Sequence, residues 1–350
     1  LTLASNELRY ETYLAETYRP AFDGIRGIGF LLVITAHIPS VPLFGYLQGW
    51  TAVWLFLVIS GYLVTMLMMR EEKSQGRVAF GPFLIKRFFR IVPSYWATIL
   101  IYLLACRALP PLADDYEQIS GQLPYLFGFL PEYANTDGYS ILTHAWTVGV
   151  EVKFYLFFPP VVFLMTRNAN WRIAITVTTA ALLLAIGSFR AQTYFAILCG
   201  ALLALTLERP RGYAFIASLT RVPVALPLGL VVALFVMLRY TEQLTLVALV
   251  ATYLVAYAIL QKSALLWVLT LKPLAYLGRR SYGAYLLHFL AIRIGYLLFP
   301  DGTAMSGLLT ACFCLAVTVP AAELMYQVIE RPGMNFARRL LKRTQPLTAR

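Results

Sequence analysis

Long apolar runs, separated by short clusters of charge, proline and glycine, set the pattern of this chain. Residues 53–69, 224–238 and 244–260 each approach the roughly 20 apolar residues that an α-helix needs to cross a bilayer. The pattern predicts ten spans, near residues 21–41, 48–69, 88–106, 143–165, 173–189, 191–208, 222–239, 243–261, 281–299 and 304–328. The expected fold class is all-α, a polytopic bundle of transmembrane helices. Two connections are longer than the rest: residues 70–86, with Gly76, Gly81 and Pro82, and residues 107–142, with Pro110, Pro111, Pro124 and Pro131. The apolar stretch 264–277 is interrupted by Lys272 and Pro273 and reads as an interfacial or re-entrant helix.

With no internal repeat, low-complexity linker or appended soluble domain visible, residues 1–350 read as one membrane domain. Residues 1–20 are polar, carrying Glu7, Arg9, Glu11, Glu16 and Arg19, without the apolar core of a signal peptide. They read as a cytoplasmic amphipathic arm ahead of a bundle over 21–330 and a basic cytoplasmic tail over 331–350. Composition agrees: 59% of residues are hydrophobic, 13% are charged and the mean hydropathy is +0.68. A soluble domain carries roughly 25% charged residues.

A net charge of +12 raises the question of nucleic acid, and its distribution answers against it. With the N-terminus cytoplasmic, the inner connections hold Arg70, Lys73, Arg77, Lys86, Arg87, Arg167, Arg172, Arg209, Arg211, Arg221, Lys262, Lys272, Arg279 and Arg280. The outer rims hold Arg107, Arg190 and Arg239, and the long outer connection carries Asp114, Asp115, Glu117, Glu132 and Asp137. That asymmetry is the positive-inside rule, and it puts both termini in the cytoplasm. Cys106, Cys199, Cys312 and Cys314 lie in apolar stretches without metal-ligand spacing and read as small core residues.

Candidate chemistry lies where a bilayer makes polarity costly, about 2.5–3.5 kcal/mol or more for an ionisable group at its centre. The first span opens with Asp23-Gly24-Ile25-Arg26 and runs apolar to His37. Eleven residues bring Arg26 and His37 within about 20° of one helix face, about 16 Å apart along the axis. They form either an inward polar track or an anchor above a satisfied core histidine. Arg87 and Arg90 share a face at i and i+3, as a phosphate grip or as snorkelling anchors. His144 and Glu151, seven apart near Trp146, share a face, as do Glu323 and Glu330. Glu151 has either an orienting role or a pairing with the neighbours of Lys153 or with Arg293. His288 and Arg293 lie in the ninth span, and Arg293 with Glu323 forms a candidate buried bridge.

In order, these segments resemble the membrane acyltransferase-3 family over nearly the whole chain. Asp23-Gly24-Ile25-Arg26 with His37 resembles its first-span pattern, and Trp54 through Leu63 its second. Arg87 and Arg90, followed by Ile91-Val92-Pro93-Ser94-Tyr95-Trp96, match its Arg-x-x-Arg segment. His144 through Tyr155 resembles its His-x-Trp-Ser-Leu-x-Val-Glu-Glu-Gln-Phe-Tyr segment, with Thr147, Val152 and Lys153 departing from it. Leu277 to His288, and Glu330-Arg331-Pro332, are similar to its closing motifs.

The resemblance implies O-acylation, with an acyl group, most often acetyl, moving from acyl-coenzyme A to a hydroxyl of a glycan, lipid-linked sugar or small acceptor of the cell envelope. It implies His37 as general base or acyl carrier and Glu151 as its orienting partner. Arg26, Arg87 and Arg90 are expected on the donor phosphates, with Asp23, His144, Trp146, His288 and Glu330 in second rank. It further implies a stand-alone member without a hydrolase-like domain, acetyl-coenzyme A as co-substrate, no metal and no nucleic acid. The expected setting is the lipid of a bacterial inner (cytoplasmic) membrane. The competing reading is a transporter or flippase for a lipid-linked glycan, against which the absent inverted repeat and the arginine motifs count.

Overall fold

The computed structural model describes residues 3–16, 18–134, 140–261 and 264–344; Asp137, Lys262 and the end of the basic tail lie outside them. Among the described residues all regular structure is helical. The order is α1 (Leu3–Ala15), α2 (Pro20–Ala36), α3 (Pro42–Tyr46), α4 (Ala52–Gln75), α5 (Phe80–Ala108), α6 (Ala113–Phe127), α7 (Trp146–Pro159) and α8 (Ala169–Ile186). There follow α9 (Phe189–Leu207), α10 (Pro210–Thr220), α11 (Ala225–Met237), α12 (Leu244–Leu260), α13 (Ala264–Leu269), α14 (Lys272–Leu298), α15 (Ala304–Met325) and α16 (Arg331–Thr344).

Local chemistry sets many of these boundaries. Pro20 opens α2 at a position where its missing N–H costs nothing, and the helix stops two residues before the proline-restricted Ile38. Asn168 and Ser188 cap α8 and α9 by accepting from backbone N–H groups at 2.8 and 3.2 Å. Gly76 (φ +70°) and Gly187 (φ +66°) end α4 and α8 in the left-handed conformation a side chain resists.

Among the described residues, six helical stretches are long and apolar enough to cross a membrane, or seven if the bent pair α10 and α11, at 76°, counts as one span. All ten predicted spans fall on helices. Those outside the six fall short for visible reasons: α2 and α12 have 17 residues each, α11 has 13, and α14 carries Lys272, Arg279, Arg280 and Arg293. In α8 only 17% of the span-length window is buried although the helix is apolar. Leu182 and Ile186 are among its outward side chains, a surface suited to lipid rather than water.

Two units divide the chain: residues 1–78 with 157–279, and residues 79–156 with 280–350. In the first, α4 and α9 form the centre, joined by α2, α8 and α12, while α10 carries α1. Contact of α4 with α9 is backbone to backbone. A Cβ on Gly61 would stand 1.9 Å from the Ile197 carbonyl oxygen, and one on Gly200 1.9 Å from that of Val58. Small residues at a crossing allow this approach, and in lipid that close packing replaces the hydrophobic drive.

In the second unit α5 packs against α6 and α16. α15 continues into a wider π-helical turn, Tyr326–Glu330, and then directly into α16, so the basic tail begins as helix. The long connection after α5 is also structured, holding α6 and short 3₁₀ turns. One expectation about the cysteines fails: Cys106, Cys199 and Cys314 are buried, but Cys312 is exposed.

Candidate functional site

In the first unit, Asp23 lies buried in the opening turn of α2. It accepts from the Tyr18 hydroxyl, and Arg279 Nη1 stands 3.6 Å from its Oδ2. The hydrogen bond to the carboxylate holds the Tyr18 phenol above its ordinary pKa, with Arg279 pulling the other way. Glycines bring the backbone up to this carboxylate. A Cβ on Gly278 would fall 1.6 Å from the Asp23 carbonyl oxygen, and one on Gly24 1.8 Å from that of Leu269. Arg26 follows Asp23 by three residues and is half-buried. α2 is unbroken from Arg26 to Ala36, and His37 is its C-cap residue, half-buried, its N–H bonded to Ile34 O at 3.1 Å. The predicted span to residue 41 therefore ends early, and His37 closes the helix rather than sitting within it.

The second unit holds two side-chain groups. Around α5, the Arg87 guanidinium lies 5.5 Å from the Phe83 ring centre and 5.3 Å from that of Tyr155. Tyr155 donates its hydroxyl to Glu151 Oε2 at 3.1 Å, and Arg87 is within Coulombic reach of both Glu151 and Arg90. Glu330 is buried within the reach of Arg90 and Arg280. Tyr282 on α14 donates to Ile91 O at 2.9 Å and lies within the field of both carboxylates. The two rings meet edge to face, with centres 6.1 Å apart, and a guanidinium held against both is restrained in a way that suits its planar fork to a phosphate.

The other group is an imidazole pair. His144 and His288 are buried with ring centres 5.0 Å apart, and Phe289 stacks on His144 at 4.9 Å. His144 Nε2 is 3.1 Å from Leu286 O, which also accepts the Tyr102 hydroxyl at 3.0 Å. His288 Nδ1 faces Tyr285 O. A carbonyl only accepts, so these two nitrogens carry hydrogen in the assigned tautomers. Tyr285 donates to His144 O at 3.2 Å and accepts from Thr147 Oγ1 at 3.2 Å. Trp146 is half-buried at the start of α7, beside this group in sequence.

Several predicted relations change. Arg293 does not meet Glu323: its Nε lies 3.3 Å from Asp115 Oδ2, whereas Glu323 takes Arg280, with Arg280 Nη2 at 3.2 Å. Arg280 lies 13 residues, between three and four helical turns, nearer the start of α14 than Arg293, and α6 supplies the carboxylate for Arg293. His144 occupies a 3₁₀ turn, Thr143–Ala145, ahead of α7, so heptad spacing from Glu151 does not apply to it. The π turn likewise breaks the spacing between Glu323 and Glu330. Lys153, off the family pattern, donates to Phe129 O at 2.9 Å and pairs with Glu132.

Sequence reasoning gave Tyr155, Tyr282, Tyr285 and Arg280 no role in the site, although they fall within the segments that carry the family resemblance. Their signal was spacing: Tyr155 follows Glu151 by four, and Tyr285 precedes His288 by three. Among the described residues, no group of three or more His, Cys, Asp or Glu is placed to hold a metal ion.

A family model described as an acyltransferase domain matches residues 19–326. The Staphylococcus aureus protein SAS0844 (strain MSSA476) is 23% identical over 362 residues, covering 92% of this chain and 58% of the relative. OatA of Staphylococcus aureus (strain NCTC 8325 / PS 47), named an O-acetyltransferase, is 23% identical over 361 residues, covering 93% of this chain and 58% of the relative. The chain thus spans less than two thirds of the length of the curated relatives it matches. No solved structure matches it. With the family match running from Arg19 on the arm through Tyr326 at the close of α15, this chain belongs to the membrane acyltransferase-3 family.

Proposed function

We propose that the chain is a membrane-bound O-acyltransferase, moving an acyl group, acetyl first of all, from acyl-coenzyme A to a hydroxyl of a glycan, lipid-linked sugar or small cell-envelope acceptor. The observation that carries this reading is the Arg87 guanidinium held against the mutually perpendicular rings of Phe83 and Tyr155, with Arg90 three residues on, in a chain whose relatives include a named O-acetyltransferase. A fixed planar cation suits a phosphorylated donor.

In the proposed reaction the imidazole of His37 takes the proton of the acceptor hydroxyl as its oxygen attacks the thioester carbonyl. The carbon–sulfur bond then breaks, and coenzyme A leaves as the thiol after taking up a proton. Arg26, Arg87 and Arg90 hold donor phosphates. Glu151, with its bond from Tyr155, serves as an orienting carboxylate, and Asp23, His144, Trp146, His288 and Glu330 serve as supporting groups. The proposed topology is ten crossings of a bacterial inner membrane with both termini cytoplasmic, supported by the basic residues that cluster in alternate connections.

The test is transfer from acetyl-coenzyme A by purified protein, read as thiol release together with a gain of one acyl mass on candidate acceptors. His37→Ala is expected to abolish both while the protein keeps its thermal unfolding profile. Full activity in that variant removes His37 from the reaction, and acceptor movement without donor consumption returns the reading to a transporter.

A further inference from the structure

The last described helix carries basic chemistry to which the proposed acyl transfer assigns no role. α16 reads Arg-Pro-Gly-Met-Asn-Phe-Ala-Arg-Arg-Leu-Leu-Lys-Arg-Thr, with no acidic residue. Its inner face is seated on α5: Ala337 is buried, Phe336 packs against Phe89 with ring centres 5.2 Å apart, and Gly333 lies against the Phe89 carbonyl. Beside this seat is an open cavity of about 580 Å³ lined by Gln327, Arg331, Pro332, Asn335, Phe336 and Arg339. On α16, Arg331, Asn335 and Arg339 make a polar row of i, i+4 spacing and Pro332 with Phe336 an apolar one beside it, while Gln327 reaches the cavity from the π turn.

We propose that this cavity is a site for the headgroup of an anionic phospholipid. Arg331 and Arg339 are both exposed, and eight residues separate them by about 12 Å along the axis, so a phosphate between them meets both guanidiniums. Asn335 on the same row and Gln327 on the π turn add neutral hydrogen-bonding groups. Glu330, the nearest carboxylate in sequence, is buried within reach of Arg90 and Arg280, and Glu323 is bonded to Gln327 Nε2 at 2.7 Å and neutralised by Arg280. The apolar row decides between a lipid and a free anion. Phe336 is 53% exposed at the rim, and an inorganic phosphate gains nothing from it, whereas a lipid continues past its headgroup into acyl chain. The charge of the helix, all of one sign, matches an anionic leaflet. The inference is independent of the acyl-transfer reading.

Native mass spectrometry of the intact protein, taken from mixed micelles of phosphatidylglycerol and phosphatidylcholine, tests it. Wild type is expected to retain phosphatidylglycerol selectively, and inorganic phosphate at equal concentration is expected not to displace it. Arg331→Gln with Arg339→Gln should weaken retention by roughly tenfold or more per arginine, since each substitution loses a direct charge-assisted hydrogen bond to the phosphate. Phe336→Ala should weaken it with the charge unchanged. Arg338→Gln with Lys342→Gln removes the same charge from the helix outside the cavity and should leave retention intact. If the double variant fails to fold, Arg339→Gln alone is read against Arg338→Gln. Equal loss in the control pair, equal retention of both lipids, or displacement by phosphate overturns the proposal.

Discussion

Replacing Arg87 by lysine keeps the charge and discards the geometry, which separates a ring-held phosphate fork from a simple basic anchor. The guanidinium faces Phe83 at 5.5 Å and Tyr155 at 5.3 Å. Each such contact is worth roughly 0.5–1 kcal/mol where water has access and more where it has none. Arg87 is half-buried, so the lower part of that range applies to it. Adding the second hydrogen bond of a bidentate phosphate contact brings the expected loss to about 1–3 kcal/mol, or roughly 5- to 150-fold in donor KM with a smaller change in kcat. Steady-state kinetics with acetyl-coenzyme A and with S-acetylpantetheine, which lacks the nucleotide phosphates, makes the comparison. The KM penalty of Arg87→Lys is expected with the first donor and absent with the second. Tyr155→Leu should reproduce part of it by removing one ring, and Tyr155→Phe should spare donor KM because the ring stays. A KM for acetyl-coenzyme A unchanged within twofold in Arg87→Lys, or an equal penalty with both donors, refutes the reasoning.

Gly200→Ala places a methyl 1.9 Å from the Val58 carbonyl oxygen, where no relaxed contact exists, and should cost about 1–3 kcal/mol by forcing α4 from α9. Gly229→Ala, with open space around it, should leave the thermal unfolding midpoint in detergent unchanged. Glu323→Gln removes the direct ion-pair partner of the largely buried Arg280 and should lower that midpoint more than Asp115→Asn, whose partner Arg293 is 51% exposed in a pair worth about 1 kcal/mol or less. Lys153→Met removes the donor to Phe129 O and the partner of Glu132, and should speed limited proteolysis of residues 128–134 while α7 stays protected. Equal cleavage rates in the two proteins count against a pinning role for Lys153.

The helices were legible because a bilayer imposes one strict demand on a spanning segment, and the chain meets it in most of its length. Where the demand is relaxed, prediction loosened. α2 stops at Ala36 because Pro39, three residues past the helix end, restricts what precedes it, and the span-length rule does not see that local constraint. The tail read as basic and continued as helix because nothing in α15 or the π turn stops it before Arg331; its fit to α5 depends on Gly333 and Ala337, two small residues with no weight in a hydropathy window. Face arguments held only on regular helix. His144 precedes its helix and Glu330 follows a wider turn, so neither obeys the 100° step that sequence spacing assumes.

Ion pairs show a deeper reason for what sequence leaves open. Spacing within a helix says which residues share a face, yet the partner of a buried charge comes from another helix, at a height that one-dimensional periodicity does not contain. Arg293 and Glu323 were matched as the charges of adjacent spans, whereas Arg280 and Asp115 are the partners that packing supplies. The tyrosines escape for the opposite reason. In a chain that is 14% aromatic a phenol ring is unremarkable, and its hydroxyl costs little until it is buried. Tyr155 therefore stands in sequence only as the end of a family-like segment, although its ring bounds Arg87 and its hydroxyl reaches Glu151. Charges betray themselves in lipid, while the aromatic groups that position them emerge only when spacing is measured outward from each charge rather than along the apolar run.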